Sequence, residues 1–203
     1  MKTERGIKIV LTFFLCFLMP VAFVACGGGS TSPSVVGTSS LSVGTNPSGV
    51  AIDSSRNVWV ANQGGNTVTE LNSIGTVLGT FGVGANPQSI AIDSSGNVWV
   101  TNYGSNTVTQ LSSSGTVLGT FTVGTAPFGI AIDSSGHVWV TNYGTTAVPG
   151  TTVTELSSSG TTLGTFAVGN NPAGVAIDSS GNVWVANYGS NTVTVWEGAA
   201  TGG

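Results

Sequence analysis

Residues Gly49-Val-Ala-Ile-Asp-Ser-Ser-Arg-Asn-Val-Trp-Val-Ala-Asn62 decide the fold, because the same stretch returns three more times. The later copies begin at Ser89, Gly129 and Gly174, and their aspartates, Asp53, Asp93, Asp133 and Asp178, are spaced by 40, 40 and 45 residues. A fixed period near 40 with several short apolar runs per unit marks a repeat architecture, in which each unit stacks on its neighbours to bury a shared core.

Within one unit, Gly49–Ile52 is a short apolar run, and Asp-Ser-Ser-Gly follows where a chain reversal is needed. Gly96, Gly136 and Gly181 can take the positive φ of a type I turn with a following bulge, and the aspartate can accept backbone hydrogen bonds across it. Arg56 stands at that position in the first copy, at a cost on the order of 1 kcal/mol if the left-handed conformation is kept. Asn57–Ala61 is rich in β-branched and aromatic residues and apolar on both faces, as in a strand covered from both sides. Asn62–Asn66 turns the chain, and Thr67–Leu71 alternates as a half-buried strand. Asn72–Gly75 turns it again, Val77–Phe81 is a fourth strand, and Gly84–Pro87 leads to the next copy. Four strands in about 40 residues, with no helical period, predict an all-β fold in which each unit is one four-stranded blade of a β-propeller.

The two ends of the repeat region are complementary. The last copy, Ala173–Glu197, holds only the first three strands, while Leu41-Ser-Val-Gly-Thr-Asn-Pro47 matches Phe121-Thr-Val-Gly-Thr-Ala-Pro127, the end of a fourth strand and its connection. The expected architecture is therefore four blades, closed by the amino-terminal strand completing the last blade and hiding its edge. A dimer of half-rings, or a truncated copy of a longer propeller, would also explain the count of four.

Ahead of the repeats, Lys2, Arg5 and Lys8 precede an uncharged run from Ile9 to Ala25. This order reads as an export signal. Seventeen residues at about 1.5 Å each reach roughly 25 Å, short of a hydrocarbon core, and Pro20 interrupts them. Phe23-Val-Ala-Cys26 and the Gly/Ser stretch after it resemble a bacterial lipoprotein signal. That resemblance implies cleavage before Cys26, lipidation of its thiol and a membrane-anchored protein facing the periplasm or exterior. The expected divisions are a signal at 1–25, a flexible tether at 26–37, the propeller at 38–198 and a disordered tail at 199–203. Cys16 would leave with the signal, so stability would rest on packing without an internal disulfide.

From Cys26 onward, Arg56 faces Asp53, Glu70, Asp93, Asp133, Glu155, Asp178 and Glu197, a formal balance of −6. Phosphate backbones would be repelled, which excludes nucleic acid as an expected partner.

The pattern Asn-Pro-x-Gly-Val-Ala-Ile-Asp-Ser-Ser-Gly-Asn-Val-Trp-Val-Ala-Asn resembles the NHL repeat and the related repeat of streptogramin (virginiamycin B) lyase-like propellers, over nearly all of Leu41–Glu197. Both families usually have six or seven blades. Members of the lyase type use acidic and histidine side chains with a divalent metal on one face, and their repeats commonly carry Glu after the Trp-containing run. Asn62, Asn102, Asn142 and Asn187 stand there in this chain and cannot act as acid or base. The expectation is a non-catalytic binding or scaffolding propeller without a cofactor, with a remote lyase-like enzyme as the alternative.

Three sets of residues are candidates for chemistry. The four aspartates could converge on a cation such as Ca²⁺, although the turn already accounts for each of them. His137, the chain's one histidine, replaces Asn57, Asn97 and Asn182 of the other copies and has no second ligand near it in the sequence. On the opposite face, propeller connectivity would gather Asn62, Gln63, Asn102, Tyr103, Phe128, Asn142, Tyr143, Asn187 and Tyr188, with Gln88, into a surface for a protein or small neutral ligand. The insertion Ala147–Thr151 lengthens one loop there. Trp59, Trp99, Trp139 and Trp184 share one repeat position, expected to pack between blades, and Trp196 is aligned with Glu70, Gln110 and Glu155.

Overall fold

The computed structural model describes residues 39–198, and in it each repeat is an antiparallel meander. The first blade comprises β1 (Pro47–Ile52), β2 (Val58–Asn62), β3 (Thr67–Leu71) and β4 (Val77–Gly82). The second comprises β5 (Pro87–Ile92), β6 (Val98–Asn102), β7 (Thr107–Leu111) and β8 (Val117–Thr122). The third has β9 (Pro127–Ile132), β10 (Val138–Gly144), β11 (Pro149–Leu156) and β12 (Thr162–Ala167). The last has β13 (Pro172–Ile177), β14 (Val183–Asn187) and β15 (Thr192–Trp196). Strands pair in sequence order within each blade. The expected signal, Cys26, the expected tether and the expected tail at 199–203 lie outside the described residues.

The first turn of each blade forms as the sequence predicts. Asp53 N donates to Asn57 O at 2.9 Å and Arg56 N to Asp53 O at 3.0 Å. Arg56 takes φ 67°, beside 81°, 83° and 77° at Gly96, Gly136 and Gly181. The arginine therefore bears the steric cost that glycine avoids.

Successive blades are joined by one packing motif. Trp59, Val68 and Phe81 meet Val98, Val100 and Leu111, and Trp99, Val108 and Phe121 meet Val138, Val140 and Leu156. Trp139, Val153 and Phe166 meet Val183, Val185 and Trp196. Each tryptophan stacks on the phenylalanine of its own blade, at 5.8, 5.7 and 5.5 Å between ring centroids. Burying one indole removes roughly 150–250 Å² from water, on the order of 4–6 kcal/mol. Phe81 and Phe121 lie so close to Gly115 and Gly160 of the next blade that no side chain fits at either glycine, and both glycines have positive φ.

The last blade solves the same problem differently. Val183 pairs with Trp196 as Val58 pairs with Leu71, so Trp196 takes the leucine position and Val195, not Trp196, stands where the other blades have Glu70, Gln110 and Glu155. From there Trp196 packs on Phe166 at 5.8 Å and on Trp139 at 6.5 Å.

The innermost strands β1, β5, β9 and β13 line a central channel of about 320 Å³, bordered by Val50, Ile90, Phe128, Gly129 and Val175. Hydroxyls tie neighbouring blades together along it. Thr101 Oγ1 donates to Phe128 O at 2.9 Å and Thr141 Oγ1 to Ala173 O at 3.0 Å.

Leu41–Asn46 takes the place of the end of a fourth strand and its connection, as in a blade preceding the first. Leu41 lies over Gly75 as Phe81 lies over Gly115. Gly44 N donates to Asn62 Oδ1 at 3.0 Å, as Gly124 N does to Asn142 Oδ1 at 2.9 Å. Gln63 N and Gly64 N donate to Asn46 O and Thr45 O at 2.9 and 3.0 Å. The last sheet has three strands here, with β15 at its edge, and Trp184 is 44% exposed whereas Trp59, Trp99 and Trp139 are buried.

Candidate functional site

Each blade has two ends, which build two rims with different chemistry. The rim of the β1–β2 and β3–β4 turns holds the aspartates. Trp59, Trp99, Trp139 and Trp184 each donate their indole N–H to Oδ2 of the aspartate six residues earlier, at 3.0–3.2 Å. Oδ1 accepts the backbone N–H four residues on, at 2.8–3.0 Å. Burial would raise the Asp93 carboxyl, but the hydrogen bonds from Trp99, Asn97 and Ser95 outweigh it and hold it below the ordinary aspartate range. At Asp178 the bonds from Trp184 and then Asn182 bring the carboxyl down to about 2.

The aspartates thus brace their own hairpins and orient the packing tryptophans. Among the described residues they do not converge on one another. The group that does come together is Asp133, His137 and Glu155, whose donor atoms all lie within 4.8 Å of one another. His137 Nδ1 is 2.9 Å from Glu155 Oε1 and 3.6 Å from Asp133 Oδ2. The sequence hides this neighbour of His137, because it arrives across the β10–β11 ladder, where Trp139 pairs with Glu155. Burial pushes the Glu155 carboxyl up, His137 draws it down and the charge of Asp133 raises it again.

Two carboxylates and an imidazole are a donor set suited to a divalent ion such as Zn²⁺. However, Asp133 Oδ2 already accepts the Trp139 indole at 3.1 Å. Moreover, Asn57 Nδ2 makes the corresponding bond to Glu70 Oε1 at 3.0 Å in the first blade. His137 and Glu155 are that amide–carboxylate pair with imidazole in the place of the amide.

The opposite rim carries the β2–β3 turns and the connections between blades. The structure corrects the expectation for its four asparagines. Asn62, Asn102, Asn142 and Asn187 are buried, and each donates Nδ2 to two threonine hydroxyls of the adjacent strand at 2.9–3.2 Å. They clamp hairpins and present no surface. In the first and third blades Oδ1 also accepts the glycine N–H of the preceding connection. Asn102 Oδ1 and Asn187 Oδ1 have no hydrogen-bond partner among the described residues. In those blades Ser105 Oγ and Ser190 Oγ engage the connection instead, accepting from Ala85 N and Asn170 N. Nor do the clamped amides fit the divalent metal that a lyase-like site implies, since their NH₂ groups are turned to threonine hydroxyls and they carry no anionic oxygen.

The aromatic residues of this rim are exposed or partly covered. Phe128, at the start of β9, lies 5.5 Å from Tyr143 between ring centroids, and Tyr143 lies 6.5 Å from Tyr188. Tyr188 is 74% exposed, whereas Gln63, Tyr103 and Tyr143 are partly covered. Tyr103 Oη reaches Gly144 O at 3.5 Å, bringing a third tyrosine to the same row. Phe128 also borders the central channel, so the row runs outward from its mouth.

Beside this row the insertion lengthens the third hairpin, with Gly144 opposite Pro149 and Val148 exposed at its tip. Asn171 N donates to Gly150 O at 2.8 Å, replacing the side-chain bond that Asn86 N makes to Asn66 Oδ1. The hairpin borders a cavity of about 540 Å³ lined by Gly124, Thr125, Thr145, Val148 and Thr151.

Comparison with known proteins agrees with this architecture. Residues 85–111 and 170–196 match the NHL repeat, and no curated protein matches the sequence. Among solved structures, a streptogramin B lyase aligns at 20% identity and TM-score 0.63, covering 79% of this chain and 59% of that one. Hydrazine synthase of Kuenenia stuttgartiensis aligns at 19% identity and TM-score 0.70, covering 81% and 49%. A catalytically inactive virginiamycin B lyase from Staphylococcus aureus, with quinupristin, aligns at 17% and 0.64, covering 75% and 56%. At these identities the likeness is one of fold, and the chain spans about half to three-fifths of the length of each. With a tryptophan-centred blade interface repeated three times and two of its units matching the NHL repeat, the chain is a β-propeller with the fold of the virginiamycin B lyases.

Proposed function

We propose that the protein is a non-catalytic binding or scaffolding propeller, anchored by lipid at Cys26 outside the cytoplasm, and that it captures an uncharged partner on the rim bearing Tyr103, Phe128, Tyr143 and Tyr188. The observation that carries this reading is the aromatic row leading from the channel mouth to the open ring of Tyr188. Aromatic faces with polar edges supply apolar contact and orienting hydrogen bonds together. Such a surface suits a protein loop or a small neutral ligand.

Replacing Tyr103 and Tyr143 together with alanine should abolish capture of the partner from an envelope extract and leave the circular dichroism spectrum unchanged. Capture at wild-type level by the folded double variant would refute the assignment of this rim. Anchoring is tested separately: Cys26→Ser should abolish incorporation of labelled palmitate, and persistent labelling would rule out Cys26 as the lipid site. Incubation with quinupristin distinguishes the enzyme class, since a binding module leaves it intact and a lyase-like enzyme does not.

A further inference from the structure

Among the described residues the blade interface is built three times, and the outer faces of the fourth and first blades each expose one half of it. Trp184 and Val193 correspond to Trp59 and Val68, yet they are exposed where those two are buried. Val195 beside them is also exposed and adds an apolar group where other blades have Glu or Gln. At the other end, Val58 and Val60 correspond to Val98 and Val100, which are fully buried, but they are only partly covered. With Leu41, Val43 and Leu71 they line a groove of about 320 Å³. The two surfaces are thus the two sides of a contact this chain already makes at every internal joint.

The strand edges are complementary as well. Leu41–Asn46 is fixed to the first blade as the end of a preceding blade would be, and among the described residues β15 is an edge strand. In the complete blades Thr67, Thr107 and Thr152 lie opposite Gly82, Thr122 and Ala167. The same register would set Thr192 opposite Ser42 and Val193 opposite Leu41.

We infer that both surfaces are covered by a second copy of this chain. The fourth blade of each copy packs on the first blade of the other, and the segment ending at Leu41–Ser42 pairs with β15 of its partner's last sheet. Two such joints, related by a two-fold axis, close an eight-bladed ring without an open edge. Eight lies within the range that propellers adopt. The four blades superpose on 48–59% of longer chains, a WD40 β-propeller domain among them, as an arc of a larger ring would.

The test uses the full chain in detergent. Sedimentation should give the mass of two copies, and Val193→Asp, a charge placed on an exposed position, should give one copy with an unchanged circular dichroism spectrum. Opposed residues of an antiparallel pair have Cα atoms about 4.5–5.5 Å apart, within disulfide reach. Oxidised Ser42→Cys/Thr192→Cys should therefore run as a covalent dimer. A mixture of the two single variants should give a dimer band that is absent from the parent chain with its native Cys16 and Cys26. A one-copy mass for the wild type, a disulfide formed within single chains, or a Val193→Asp variant that stays paired would each overturn the inference.

Discussion

The two rims are made by the same strands and differ in almost every chemical respect. One holds all the charged side chains among the described residues, from Asp53 and Arg56 of the first turn to Glu197 after β15. The other has none, and its polar groups are amides, hydroxyls and phenols. On the charged rim the four copies repeat one bond pattern, an aspartate holding a backbone turn and an indole. On the neutral rim the copies diverge: Gln63 against three tyrosines, Phe128 against Ser48, Gln88 and Ala173, and one lengthened hairpin. Uniformity on the first rim follows from its task, because every blade needs its tryptophan held at the same angle. Divergence on the second means that its exposed positions are not held to that task.

Acid should affect the charged rim most, since the shifted carboxyls of Glu70, Asp93, Glu155 and Asp178 all lie on it. Asp93 and Asp178 have folded pKa values below their unfolded ones, so their stabilisation is present above about pH 4 and is lost as pH falls, through about 2 for Asp178. Glu70 and Glu155 shift the other way. Burial and then Asp53 raise Glu70, with Asn57 offsetting part of the effect, and burial raises Glu155. A raised carboxyl favours the protonated folded state, so these two add stability as pH falls from 7 toward the ordinary value of 4.5. Urea midpoints measured against pH should therefore peak between about 4 and 5 and fall steeply below. A steady decline from pH 7 downward would contradict this assignment.

A single bracket can also be removed. Asp93→Ala leaves the buried Trp99 N–H without an acceptor and should cost about 2–3 kcal/mol in chemical denaturation, with a smaller loss for Asp178→Ala, where solvent replaces the acceptor. Equal losses at the two sites would mean that burial is not what makes the bracket matter. Arg56→Gly should stabilise by about 1 kcal/mol, by relieving the left-handed backbone that the other turns already give to glycine. No gain would show that the arginine side chain repays its strain. Tyr188→Ala on the neutral rim should change stability by less than about 0.5 kcal/mol while weakening partner capture. A large loss of stability there would end the contrast between the rims.

How much of this could be read in advance follows the same division. The period, the strands and the turn chemistry, down to the strained Arg56, are local features and were legible. The asparagines were misplaced because an amide after an apolar strand looks like the start of a surface turn. Asn62 instead is the last residue of β2 and donates to Thr67 and Thr69 of β3. Trp196 slipped by one position because the last copy has no fourth strand after it to fix the alignment; the ladder, with Val183 opposite it, settles the register. Glu155 was missed as the neighbour of His137 because 18 residues separate them along the chain, and only the hairpin brings them together.

The indole–carboxylate bracket also gives the molecule an optical gauge. Three of the four bracketed tryptophans are buried, while Trp184 stands with its N–H bound to Asp178 and its ring against solvent. Its fluorescence should be red-shifted and open to quenching by iodide for as long as its face is bare, and should move to the blue and become protected when another blade covers it. The colour of one residue thus reports whether the ring is complete.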